Sequence, residues 1–135
     1  MSATPVIKAT RFSLADSYID INERFHEEGW SDGLSIMPPT EDAVVMMIGD
    51  REPTEVLGVM PPVNGTVTVE KVAANAVMAG CRPEYFPVVL AGVKAMLHKE
   101  YNVGSVSTTT GGAAPVFIVS GTYGEEIGIN SGSGC

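Results

Sequence analysis

The sequence contains few cysteines and few basic side chains, and each shortage excludes a class of protein. Only 2 of its 135 residues are Cys, which excludes a scaffold held by several disulfides and favours a cytoplasmic protein with reduced thiols. Lys and Arg number 8 against 16 Asp and Glu, for a net charge of -8. A nucleic-acid-binding protein needs a basic face for its phosphate contacts, so no nucleic-acid partner is expected.

Long apolar runs are also missing. The longest mostly apolar stretch, residues 86–97, is too short to span a bilayer and is better interpreted as a buried helix. The N-terminus has no basic segment followed by an apolar core, so the sequence predicts neither a secretory signal nor a membrane partner.

The remaining patterns predict a mixed α+β fold with short strands and about four helices. We expect an extended arm over residues 1–12, followed by a single domain, or the N-terminal half of a larger one, over residues 13–135. Ser13, Thr40 and Thr68 are candidate N-caps, and a fourth helix that is apolar nearly all round is expected to be central. The predicted helices cover 13–28, 40–48, 68–79 and 83–100, and the predicted strands cover 35–37, 55–60, 105–110 and 115–120.

A loop rich in Gly, Ser and Asn, residues 128–135, ends the sequence after the predicted buried strand 115–120. Backbone N–H groups of such loops often bind anions. A loop of this kind normally leads into another element, so we expect the fold to be incomplete without a partner chain. Three interpretations of this ending are a deliberately shortened chain, a small split subunit, and the upstream piece of a cleaved precursor.

Four side chains of this loop are candidate site residues. Cys135 would be a nucleophile because neighbouring N–H groups favour the thiolate, although an incidental terminal cysteine is the alternative. Asn130 would hold an oxyanion together with loop N–H groups, and Ser131 and Ser133 would add hydrogen bonds. Each of these three is equally typical of an ordinary loop. We predict catalytic roles for Cys135, Ser133 and Asn130, and a substrate-binding role for Ser131.

Further candidates lie outside the loop. Lys71 and Asn75 stand one turn apart on the third helix, where Lys71 would act in catalysis or on an anionic group and Asn75 would bind substrate. Arg82 precedes a helix N-terminus, which suits anion binding. Thr109 belongs to a Thr-Thr-Gly-Gly turn that could wrap a phosphate or carboxylate. The alternatives are surface positions for Lys71 and Asn75, and an ion pair with Glu84 for Arg82.

Cysteine and histidine spacing predicts no metal site. If a soft ion such as Cu(I) were bound, Cys81 and Cys135 would be its ligands, and the same two thiols could act as a redox pair. The alternative for Cys81 is a small buried side chain.

Several blocks of the sequence resemble a bacterial family that is largely catalogued as uncharacterised. Its members are often found near small thiol or selenol proteins with a (Sec/Cys)-Gly-Ser-Cys motif. The resemblance covers about residues 25–135, and this chain looks like the family's N-terminal half. It implies a continuation into a Gly-Pro-Gly turn and a long helix, but no reaction. The blocks are Gly29–Leu34, Pro38–Thr40, Val59–Pro62, Thr68–Tyr85, Thr108–Thr109 and Gly128–Gly132.

Three functions are consistent with these patterns. The first is the upstream chain of a processed, autocatalytically cleaved enzyme that acts on a small polar substrate by amide, thioester or C–S/C–N bond cleavage. Its partner would be a second chain formed by the residues after Cys135, its cofactor a protein-derived group on that chain, and its assembly a higher oligomer. The second is thiol redox or soft-metal binding through Cys81 and Cys135. The third is a non-catalytic small subunit.

Overall fold

A computed structural model of the chain describes residues 6–130 and residue 133. These residues form six α-helices, a short 3-10 turn and a two-stranded antiparallel sheet, which confirms a mixed α+β fold with short strands. The helices beyond the predicted four are short. The elements are α1 (Tyr18–Glu27), α2 (Glu41–Ile48), β1 (Val56–Met60), β2 (Gly65–Thr68), α3 (Val69–Met78), the 3-10 turn (Pro83–Tyr85), α4 (Phe86–Met96), α5 (Val103–Thr108) and α6 (Thr122–Glu126).

The hydrophobic core lies between α2, α3 and α4. Ile48, Val69 and Phe86 are the largest side chains that it buries completely. Ala73 of α3 is also fully buried, and its small side chain allows the neighbouring helices to approach closely. Among the residues the structure describes, no helix is both long enough and apolar enough to cross a bilayer.

Strands β1 and β2 form a hairpin that leads directly into α3. Val56 pairs with Thr68 and Met60 with Gly65, with a bulge near the start of β1. The Thr68 side chain then accepts a hydrogen bond from the N–H of Lys71 and so caps α3. One residue thus ends the sheet and begins the helix, as its β-branched, hydroxyl-bearing side chain permits.

Most helix ends fall where the sequence predicts them. Thr40 caps α2 by accepting from the N–H of Ala43, and Thr68 caps α3. The first helix differs, because its N-cap is Ser17 rather than Ser13. Asp20 follows Ser17 by three residues, as Asp16 follows Ser13, and the Ser17 hydroxyl accepts from the N–H of Asp20.

Three helices end in the same glycine motif. The glycine after the helix has a positive φ of 70°, 75° or 74°, at Gly29, Gly80 and Gly128 respectively. Its N–H and that of the next residue bond back to carbonyls of the last turn, as in a Schellman motif. The residues that follow these glycines are Trp30, Cys81 and Ile129.

Two predicted strands do not form in the described residues. Residues 35–37 lack strand pairing, although the N–H of Met37 bonds to the carbonyl of Met78. Residues 105–110 instead belong mostly to α5. There the hydroxyl of Thr108 donates to the carbonyl of Gly104, and the side chain of Asn102 donates to the hydroxyl of Ser105. These local hydrogen bonds favour a helical turn over the strand that β-branched residues suggest.

The third wrong strand prediction is the buried strand at 115–120. This segment is extended, but it pairs with no strand in the part of the chain that the structure describes. Its side chains are exposed rather than buried. The apolar sequence therefore identified an extended segment, but one that the described residues leave exposed.

The fourth helix is shorter and less central than predicted. The predicted helix 83–100 becomes a 3-10 turn followed by α4, which ends at Met96. Only Phe86 and Leu90 of α4 are buried. The other apolar side chains of α4 are partly buried or exposed, and Val89 and Val93 pack against the edge of the core.

The N-terminal arm is held against the core by the carboxylate of Glu70. Residues 6–12 contain neither helix nor strand. The backbone N–H groups of Lys8 and Ala9 donate to Glu70, with a shortest distance of 2.7 Å from Ala9. Arg11 adds an ion pair of 2.8 Å with Glu41 of α2. The sequence analysis had assigned no role to Glu70, which is only 6% exposed.

Candidate functional site

The candidate site is an apolar groove of about 650 Å³ between α4 and the extended segment that follows α5. None of the described residues that line it is charged. We call the outer side of α4 together with residues 116–123 the open face. The residues that line the groove are Pro87, Val88, Val89, Ala91, Gly92, Val93, Met96, Phe117, Ile118, Val119, Ser120 and Tyr123.

The extended segment contributes four consecutive apolar side chains. Val116 and Ile118 are 84% and 91% exposed, whereas Phe117 and Val119 are 53% and 38% exposed. This alternation is that of a β-strand, whose successive side chains point to opposite faces. No backbone hydrogen bond is formed by residues 116–119 within the described part of the chain. The segment therefore has the shape of a strand, but none of the described residues pairs with it.

Phe117 docks the segment on α4 at a glycine. A Cβ atom added to Gly92 would lie only 3.1 Å from Cε1 of Phe117, so the aromatic ring occupies the space that a side chain would take. A glycine within a helix lowers the stability of the helix, and Gly92 is used here because it allows Phe117 to approach α4 closely. Two residues farther along the segment, Val119 lies against Gly124 of α6, with 3.6 Å between its Cγ1 and an added Cβ.

Helix α6 lies at the edge of the open face and carries the start of the terminal loop. The hydroxyl of Tyr123 donates to the carbonyl of Glu84 at 2.7 Å, which ties α6 to the 3-10 turn before α4. The N–H groups of Gly128 and Ile129 bond to carbonyls at the end of α6, at 3.1 and 2.8 Å. These two donors complete the helix end, so they are not available to an anion.

Of the four predicted site residues of the terminal loop, the structure describes two. Asn130 and Ser133 are exposed. Cys135 and Ser131 lie outside the described residues, so their roles stay predictions. Asn130 follows Ile129 directly and is thereby the first loop residue after the helix end next to the open face.

Lys71 and Asn75 lie next to each other in the structure, and both side chains form hydrogen bonds with nearby backbone carbonyls. The ammonium group of Lys71 donates to the carbonyl of Thr66 at 2.6 Å, and the side-chain amide of Asn75 donates to the carbonyl of Lys71 at 2.8 Å. Both side chains are exposed on α3. The Lys71 contact fastens β2 to α3, whereas the Asn75 contact stays within the helix.

Arg82, Thr109 and Cys81 also have structural partners. Arg82 forms an exposed ion pair of 3.4 Å with Glu84, the alternative considered from the sequence. The hydroxyl oxygen of Thr109 accepts from the N–H of Gly111 at 3.1 Å and shapes its own turn. Cys81 follows Gly80 at the end of α3, where its half-buried side chain packs on the core. Among the described residues, no hydrogen bond or ion pair joins these groups into one cluster.

Over residues 6–130 and 133, no group of three or more His, Cys, Asp or Glu side chains is placed to hold a metal ion. Away from the open face, the pKa of Glu52 is lowered, chiefly by the hydrogen bond that its carboxylate accepts from the Thr54 hydroxyl.

No protein-family model, curated protein or solved structure matches the chain. The resemblance of the sequence blocks to a bacterial family therefore stays a prediction.

The open face was missed by the sequence analysis, although a signal for it exists. Residues 101–124 contain no Asp, Glu, Lys or Arg, in a chain that carries 24 such residues (8 basic and 16 acidic). A long uncharged stretch in an acidic protein indicates a surface that is covered by something. The sequence alone could not show whether the rest of the chain covers it.

Proposed function

We propose that this chain is a subunit that works in association with a second polypeptide, which covers the open face. The observation that carries the proposal is the extended, apolar and unpaired segment Val116–Val119 beside an uncharged groove. An exposed apolar strand edge is a site for pairing with another chain, and proteins rarely leave one open.

The energetic reason is the apolar surface that association would remove from water. Full burial of a Val, Ile or Phe side chain contributes about 1.5–3 kcal/mol, and Val116 and Ile118 are almost entirely available for it. The groove adds the exposed sides of Val88, Val93 and Met96 on α4. The free energy gained by burying this surface has to exceed the cost of the translational and rotational freedom lost on association. A partner that covered the segment and the groove together would therefore be favoured.

The processed-enzyme hypothesis is a more specific form of this proposal. Tyr123 of α6 lines the groove, and α6 leads through Gly128 to Asn130. A polypeptide covering the open face would therefore come close to the start of the loop that holds Asn130, Ser131, Ser133 and Cys135. In this form, the loop and the second chain share a site for amide, thioester or C–S/C–N bond cleavage, with Cys135 as nucleophile and Asn130 on the oxyanion.

Both the general proposal of a subunit and the specific one of a processed enzyme can be tested by mass spectrometry. The protein would be purified from its own full-length gene and measured under native and under denaturing conditions. We expect a native complex that separates, under denaturing conditions, into this chain and a second one. If the second chain is the continuation of the same gene product, its mass also reveals a modified first residue. A complex with a separately encoded chain would support the subunit and remove the processing step.

A matched pair of variants connects the complex to the open face. Ile118→Lys places a charge in the open face, whereas Val63→Lys places one in the hairpin turn, where the side chain is 87% exposed. We expect Ile118→Lys to dissociate the complex and Val63→Lys to leave it intact. A protein that stays monomeric throughout, or a complex that is indifferent to Ile118→Lys, would overturn the proposal.

A further inference from the structure

We infer that the partner contacts the open face with an uncharged, apolar β-strand that pairs with the backbone of residues 115–120. This inference deepens the proposed function and rests on it. The competing occupant is an amphipathic helix laid into the groove, which would use side-chain contacts alone.

The backbone is the first argument for a strand. Residues 116–119 form no backbone hydrogen bonds among the described residues, so their N–H and C=O groups are hydrated as long as the face is open. Covering the face removes that water, and buried backbone groups almost always find a partner. A helix has already used its own backbone groups and cannot supply those partners, whereas a strand can.

The side chains give a second, independent argument. Phe117 packs on Gly92 of α4 and Val119 on Gly124 of α6, whereas Val116 and Ile118 are 84% and 91% exposed. Both sides of the segment are thus apolar, as in a strand that is covered on both faces. A helix in the groove would leave Val116 exposed, because Val116 does not line the groove.

The charge distribution specifies the chemistry of the occupant. No charged residue occurs over residues 101–124, and none of the described residues that line the groove is charged. A charged side chain from the partner would therefore be buried here without an opposite charge, which is unfavourable. Pro115 lacks an N–H group and limits pairing at the start of the segment. The occupant is thus a short strand with apolar, uncharged residues.

Hydrogen exchange with residue-level mass spectrometry tests the inference on the complex and on the isolated chain. Successive N–H groups of a strand point to opposite edges, so pairing at one edge protects alternate residues. We expect either the amides of 116 and 118 or those of 117 and 119 to exchange on the order of 100-fold more slowly in the complex. Hairpin amides of β1 and β2 serve as the internal control, because they are paired in both states.

The outcomes separate this inference from the proposed function. A complex that requires Ile118 but leaves all four amides of 116–119 in fast exchange would overturn the strand and retain the subunit. A complex that does not depend on Ile118, or no complex at all, would overturn both. Alternate protection that is absent from the isolated chain would support the inference.

Discussion

Replacing Glu70 by Gln should release the N-terminal arm. The Glu70 carboxylate is 6% exposed and accepts from the N–H groups of Lys8 and Ala9 at 3.2 and 2.7 Å. Hydrogen bonds to a charged group contribute about 1.5–3 kcal/mol each, and an amide keeps one of the two acceptor oxygens. Its place in the first turn of α3 adds about 0.3–1 kcal/mol through the helix dipole. We expect Glu70→Gln to lower the free energy of unfolding by about 2 kcal/mol.

Two assays test this expectation together. Chemical denaturation gives the free energy of unfolding, and limited trypsin digestion reports the arm, because Lys8 and Arg11 are trypsin sites within it. We expect faster cleavage at both sites in Glu70→Gln. Glu100→Gln is the matched control, since its side chain is 79% exposed. A Glu70→Gln protein with wild-type stability and wild-type cleavage would refute the role of Glu70 as the anchor of the arm.

Three further substitutions test local features of the fold. Gly80→Ala should destabilise the protein by about 1–2 kcal/mol in thermal denaturation, because φ is +75° there; an unchanged melting temperature would contradict this. Gly92→Ala should shift the aromatic NMR signals of Phe117, whose ring would have to move, and stay within about 1 kcal/mol of the wild type because alanine favours the helix; unshifted signals would contradict the docking. Thr54→Val should return the lowered pKa of Glu52 toward its ordinary value in an NMR titration. Because the pKa of Glu52 is lower in the folded than in the unfolded protein, the ionised Glu52 carboxylate stabilises the wild type, and this stabilisation should be lost as the pH falls through the folded pKa. An unchanged Glu52 titration in Thr54→Val would refute the Thr54 hydroxyl as the cause of the lowered pKa.

The sequence predicted helices best where both ends carry a local signal. α2 begins at the Thr40 cap, and α3 begins at the Thr68 cap and ends before Gly80, as expected. Capping involves residues three or four apart, so the sequence contains all of its participants. The start of α1 was wrong because Ser13 and Ser17 offer the same local signal, and only the structure selects between them.

Strands were predicted less well because a strand needs a neighbour. Both 105–110 and 115–120 were predicted as strands, yet the first belongs mostly to a helix and the second is an extended segment that pairs with no strand among the described residues. The apolar composition of the second segment was interpreted as burial. Whether an apolar residue is buried depends on what else the fold places over it, which no local pattern contains.

The candidate site residues show the same difference between what a local pattern predicts and what contacts between distant residues decide. Lys71, Asn75 and Arg82 were chosen for their chemistry, and the structure gives each of them a local partner. Phe117 and Gly92 were not chosen, although they form the contact that holds the open face together. A side chain's partner can lie anywhere in the chain, so spacing alone could not show which contacts these side chains make.

By itself the sequence determined the mixed fold class, the caps of α2 and α3 and the glycine that ends α3, because these depend on neighbours a few residues away. Only the tertiary structure decided that Glu70 holds an arm more than 60 residues away. It also decided that Val116–Val119 stays outside the core. Both depend on which distant surfaces meet once α2, α3 and α4 have packed, and packing is a property of the whole chain.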